Sequence, residues 1–209
     1  MVDIFALASL GILITIAAFI IYIILTAFRS VGFTFAETAT ILFLSILLYI
    51  YIPNIPLFKS DNVVIGINVA GAVIPIFLSL RMLEQRRAPA MESLLGIAII
   101  TYLAYNLSEV VPEEGILLYS YHIPVVTASL IGVLAARKKW SRAGPCSYVS
   151  GSIGILIGAD ILHLQEVLNF QHQRTIFAVI GGAGIFDAIF IVGILAVLID
   201  IFLKVIFRD

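Results

Sequence analysis

From Ile4 to Phe28 the chain carries no charged side chain. An apolar run of ~20 residues is long enough to cross the hydrocarbon core of a bilayer as a helix. This run is too long for the core of a signal peptide and lacks a basic flank before it, so a retained first span is expected. Six further apolar runs follow, at about Phe35 to Ile52, Val63 to Leu80, Leu94 to Leu107, Leu117 to Ala136, Tyr148 to Leu164 and Ile176 to Phe202. Charged residues make up 12% of the chain and apolar residues 62%, with a mean hydropathy of +1.15. Soluble domains hold ~25% charged residues, so this chain has too few to coat a water-facing surface. No series of short alternating segments suggests an outer-membrane barrel. The expected fold is all-α: a polytopic transmembrane helical bundle of about seven spans, filling residues 1–209 as one integral domain of the cell membrane.

The basic residues set an expected orientation. Arg81, Arg86 and Arg87 follow the third run, Arg137, Lys138, Lys139 and Arg142 the fifth, and Lys204 and Arg208 the seventh. The alternate connections hold Glu109, Glu113, Glu114 and Glu166, with Lys59 and Arg174 as their basic residues. Lys and Arg excess marks the cytoplasmic side. All three clusters fall there only if the N-terminus lies outside and the C-terminus inside. The connection IPNIPLFKSDN, with Pro53 and Pro56, is not expected to be regular helix.

Two carboxylates interrupt the last two runs. Asp160 stands in SIGILIGADILHL and Asp187 in AVIGGAGIFDAIFIVGILAVL. A charged side chain at bilayer depth costs at least ~2.5–3.5 kcal/mol on insertion scales, so such residues face the bundle interior and mark working sites. If both runs are continuous helices, Asp160 lies roughly 6–10 Å and Asp187 roughly 16 Å below the outer surface, at 1.5 Å per residue. The short connection between the runs makes them antiparallel neighbours, so the carboxylates can meet. The competing reading is structural, with each carboxylate pinning helices together.

Small and polar residues surround the pair. Gly181, Gly182 and Gly184 leave backbone without bulk just outward of Asp187, open either to a packed helix or to a substrate peptide. Gly154 and Gly158 form a small-xxx-small pair in the sixth run. Asn68 and Pro75 make the third run a candidate cavity wall, since broken helices line binding sites. His163 lies three residues after Asp160 and can project to the same side.

Other chemistries find little purchase. His163, Glu166, His122 and His172 match no established metal-ligand spacing, and no cofactor is expected. Cys146 is the single cysteine, which excludes an internal disulfide. Serines such as Ser45, Ser129 and Ser152 lie in no Gly-x-Ser-x-Gly elbow. The glycines near Gly181 do not form a phosphate-binding loop after a strand. No basic patch with interleaved aromatics points to nucleic acid. The Arg-Lys-Lys-Trp run reads as a topology anchor that can touch anionic lipid headgroups.

The stretches GINVAGAVIPIFLSL, YVSGSIGILIGADILHL and IGGAGIFDAIFIVGILAVL resemble those of an uncharacterised prokaryotic membrane-protein family, a domain of unknown function. The chain shows His163 where that family usually has Asn, and Ala188 where it has Gly. Gly184-Ile185-Phe186-Asp187 is also distantly similar to the Gly-x-Gly-Asp helix of presenilin and signal-peptide-peptidase type intramembrane aspartyl proteases. Those enzymes carry their second aspartate on the preceding helix, as Asp160 is carried here. Phe186 replaces the second glycine of that motif, and no Pro-Ala-Leu segment follows.

The leading expectation is an intramembrane aspartyl protease-like protein with Asp160 and Asp187 as catalytic residues and a transmembrane peptide as substrate. Gly181, Gly182, Gly184, Asn68 and His163 are its expected substrate-binding residues. The alternative is a proton- or cation-coupled secondary transporter in which the same aspartates bind a small ion. A scaffold with purely structural aspartates is the third possibility. Membrane lipids are partners in every case.

Overall fold

The computed structural model describes residues 4–52, 54–111, 115–136, 139–169, 175–182 and 187–207. Among the described residues, four helices are long and apolar enough to cross a membrane: Ala8–Ser30, Ala90–Leu107, Trp140–Asn169 and Ala188–Ile206. In chain order the helices are α1 (Ile4–Ser30), α2 (Phe35–Tyr51), α3 (Ile74–Glu84), α4 (Ala90–Leu107), α5 (His122–Ala136), α6 (Ala143–Ile155), α7 (Leu164–Asn169) and α8 (Ala188–Phe207). The fourth run, short by sequence, gains a turn at its start and forms an 18-residue helix.

The bundle is built around α6, nearly every residue of which is buried. It packs against α3, α4, α5 and α8. Its sequence, AGPCSYVSGSIGI, explains how one helix can touch so many neighbours. Small side chains let backbones approach, and here each serine is seated on a glycine of a different helix. Ser147 meets Gly132 of α5, Ser150 meets Gly96 of α4, and Ser152 meets Gly193 of α8; a Cβ on any of the three glycines would overlap the serine hydroxyl. Gly154 and Gly158, the expected small pair, face Ile100, Thr101 and Ala104 of α4.

The all-α expectation is corrected at two runs. The third run opens as strand β2 (Val63–Asn68) and the seventh as strand β5 (Ile176–Ile180). The two pair in parallel, from Val63 with Ile176 to Ile67 with Ile180. Strand β1 (Asn54–Ser60), from the proline-bearing connection, adds antiparallel to β2 and gives the order β1-β2-β5. Strands β3 (Ser108–Val111) and β4 (Gly115–Leu118) form a separate hairpin. Residues 63–67 are Val-Val-Ile-Gly-Ile and residues 176–180 are Ile-Phe-Ala-Val-Ile. Four to eight such β-branched and aromatic residues suit a pleated surface and give no period that separates strand from helix.

Two π-helical turns lie among these elements. A π-helical turn, Val69–Val73, joins β2 to α3. A second π-helical turn, Leu156–Ile161, extends α6 and carries Asp160. Helix α8 starts only at Ala188, so Asp187 stands at a helix start and not ~16 Å inside one, as a continuous helix would have it.

Candidate functional site: two aspartates at broken helices

Asp160 lies in the π-helical extension of α6, half-buried. Such turns are rare and cluster at functional sites. Its Oδ2 accepts the main-chain N–H of Gly181 at 2.8 Å. Gly181 follows strand β5 in a left-handed conformation, φ +69°. A Cβ there would come within 2.7 Å of the backbone of Gly71 and Ala72 in the other π-helical turn. Glycine is required at this position on both counts. One residue thus ties together the sixth run, the seventh run and the break in the third.

Asp187 begins α8. Its carbonyl accepts the Ile191 N–H at 2.9 Å, the first helical bond, and its Oδ1 accepts the Ile189 N–H at 3.0 Å. This is N-cap geometry, which satisfies an otherwise orphaned donor and places negative charge at the positive end of the helix dipole. Asp160 and Asp187 are thus each held by a main-chain N–H, that of Gly181 and that of Ile189 respectively.

The expected substrate-binding residues divide. Gly181 touches Asp160 directly, whereas Gly182 stands exposed beside it and donates to Val179 O at 3.1 Å. Gly184 lies outside the described residues. Asn68 is buried and committed: its Oδ1 accepts the Gly71 N–H at 2.8 Å, and its Nδ2 donates to Asn54 Oδ1 at 3.0 Å. It shapes the π-helical turn against which Gly181 rests.

His163 is buried at the far end of the Asp160 turn. Its Nδ1 lies 2.9 Å from Ala159 O and 3.1 Å from Gly158 O, and its ring stacks on Tyr105 at 4.8 Å. Carbonyls only accept, so Nδ1 must carry the proton that it donates. That role is to close the carbonyls which the π-helical turn leaves open. Among the described residues no group of three or more His, Cys, Asp or Glu side chains gathers to hold a metal ion.

A third carboxylate was not singled out from the sequence. Asp200, about two turns before the end of α8, is 4% exposed. It accepts hydroxyl bonds from Ser129 of α5 at 2.7 Å and Ser147 of α6 at 2.5 Å. Its signal in the sequence was an acid in an apolar run, at the spacing of neither motif.

Residues 16–199 match the family described as "Protein of unknown function (DUF1614)". The chain belongs to this family. The DUF1614 match covers both aspartates of the pair, Asn68, His163 and the glycines of the seventh run, and stops one residue short of Asp200. No curated protein and no solved structure matches the chain.

Proposed function

We propose that this protein is a multi-pass integral membrane protein of the cell membrane and an intramembrane aspartyl protease-like enzyme. Asp160 and Asp187 are its catalytic pair. The observation that carries the reading is the Asp160–Gly181 bond, which fastens one carboxylate of the pair to the residue that follows an edge strand. Among the described residues, β5 pairs on one side only, with β2. An extended peptide can add to such an edge through main-chain hydrogen bonds. A transmembrane substrate unwound along β5 would arrive at the aspartates with its scissile carbonyl exposed.

The chemistry follows from two like charges in a low-dielectric site, which together hold one proton. The ionised carboxylate takes a proton from water as the water oxygen attacks the scissile carbonyl carbon. The protonated carboxylate gives its proton to the carbonyl oxygen. Collapse of the tetrahedral intermediate breaks the C–N bond, with a proton delivered to the leaving nitrogen. The main-chain N–H groups of Gly181 and Ile189 keep both carboxylates oriented through the cycle.

The distribution of charge supports seven spans with the C-terminus inside. The end of α1, the end of α3 and the turn before α6 meet around one cavity lined by Arg86, Arg87 and Arg142, so these basic residues share one end of the bundle.

A transporter coupled to a proton or cation is the second reading. What favours it is the concentration of broken backbone at the pair, since discontinuous helices bind coupling ions. A mimic of the tetrahedral intermediate separates the two. Under the protease reading a hydroxyl-bearing peptide isostere raises the Tm of the wild type and not of Asp160→Asn. A Tm that ignores the isostere but follows Na⁺ or pH, in a way that Asp160→Asn abolishes, establishes the transporter instead.

A further inference from the structure

Helix α3 ends in a way that selection for stability alone does not explain. Arg86 N–H donates to Leu83 O at 3.0 Å and Arg87 N–H to Met82 O at 3.0 Å, the paired bonds of a Schellman C-cap. The left-handed position of that motif is normally glycine, yet here it is Arg86, at φ +54°. A strained residue that persists calls for a functional account.

Arg86 lines a cavity of about 400 Å³ together with Ser30, Val31, Gly32, Arg87, Ser141 and Arg142. Among the described residues no carboxylate pairs with any of its three arginines. Gly32, at φ +98°, makes room for the Arg87 guanidinium, which a Cβ would strike. Arg87 in turn donates to Val31 O at 3.3 Å and so is fixed in place. The Ser30 hydroxyl is spent on Ala27 O at 2.7 Å, but three arginines lining one space supply more N–H donors than these local bonds use, and guanidinium forks suit phosphate oxygens.

Ser30 and Ser141 also line an adjoining cavity of about 490 Å³ with Thr26, Trp140, Gly144, Ile201, Lys204 and Val205. Asp200 borders it as well, but both of its oxygens are engaged by serine hydroxyls. Ile201 and Val205 offer apolar surface beside Lys204, and Trp140 is the residue type of the membrane interface. A free phosphate ion would use only the first cavity; a phosphate attached to acyl chains would use both.

We propose that the joined cavities bind the headgroup of an anionic phospholipid. The phosphate is held by Arg86, Arg87 and Arg142, the glycerol region lies by Ser30 and Ser141, and the chains run along Ile201 and Val205. The inference rests on the membrane reading above, whose own failure is separately visible: a protein released by alkaline carbonate without detergent is not embedded. The test uses delipidated full-length protein in neutral detergent, with phosphatidylglycerol, phosphatidylcholine or inorganic phosphate added. Saturating phosphatidylglycerol is expected to raise the Tm by ~5 °C or more, and the other two are expected to leave it unchanged.

Arg142→Gln should reduce that shift, whereas Lys139→Gln, at the same end but outside both cavities, should preserve it. Arg86→Gly gives a sharper readout. It should raise the Tm of the lipid-free protein by relieving the left-handed strain, and at the same time shrink the response to phosphatidylglycerol. An equal response to phosphatidylcholine, a full response to inorganic phosphate, or equal losses in Arg142→Gln and Lys139→Gln would each overturn the proposal.

Discussion

The main-chain N–H of Gly181 donates to the Asp160 carboxylate at 2.8 Å, while the Gly181 Cα packs too close to the backbone of Gly71 and Ala72 for any side chain. The bond couples backbone conformation to the orientation of a proposed catalytic group. Gly181→Ala must place a Cβ 2.7 Å from the backbone of residues 71 and 72 while holding φ +69°. A left-handed non-glycine residue alone costs ~1–3 kcal/mol. Gly181→Ala should therefore lose at least that much stability in denaturant titration. Gly182→Ala, with its nearest clash at 3.0 Å, should lose less.

Asp187 has two separable jobs. As the residue whose Oδ1 accepts the Ile189 N–H, it caps α8. Asn caps as well as Asp, while Ala forfeits ~1 kcal/mol. Thermal unfolding should then place Asp187→Asn near the wild type and Asp187→Ala below it. Asn at this position becomes the clean probe of chemistry.

Asp200 should matter for stability more than for activity. Ser129→Ala or Ser147→Ala leaves a buried carboxylate oxygen without its donor, at ~1–3 kcal/mol each. The double variant should be non-additive, because both serines serve one carboxylate. Unfolding of the three variants measures this; additive losses would mean that the two hydroxyls act independently.

How far the sequence could be read depended on what kind of signal each element carried. The long helices α1 and α8 were legible because an uninterrupted apolar run has one solution in a bilayer. Strands β2 and β5 were not, because Val63–Ile67 and Ile176–Ile180 are apolar at every position and so have no period. The parallel partner of each lies more than a hundred residues away, beyond any local pattern. Asp160 and Asp187 stood out as acids in apolar surroundings, but the N-cap role of Asp187 follows only from where α8 begins. Asn68 and His163 were expected at the substrate; in the structure Asn68 bonds Gly71 and Asn54, and His163 Nδ1 bonds the carbonyl of Ala159, partners that no local sequence pattern announces. The serines of α6 looked unremarkable until Gly96, Gly132 and Gly193 on three other helices were placed against them.

Orientation is testable with single cysteines. With buried Cys146 replaced by Ser, a cysteine at Ser141 should resist a membrane-impermeant thiol reagent in whole cells, and one at Glu109 should react. Both positions are exposed. The reverse pattern would place the aspartates toward the cytoplasmic side.

The measurement that bears most directly on the proposed activity is cleavage of a membrane-spanning test peptide by purified protein, with product termini read by mass spectrometry. The account predicts a defined cut within the apolar segment, present in the wild type. It predicts that Asp160→Asn and Asp187→Asn each reduce the rate at least ~100-fold, while Asp187→Asn keeps a wild-type Tm. Cleavage that survives in either folded Asn variant, or a wild-type protein that leaves the peptide whole, would contradict it.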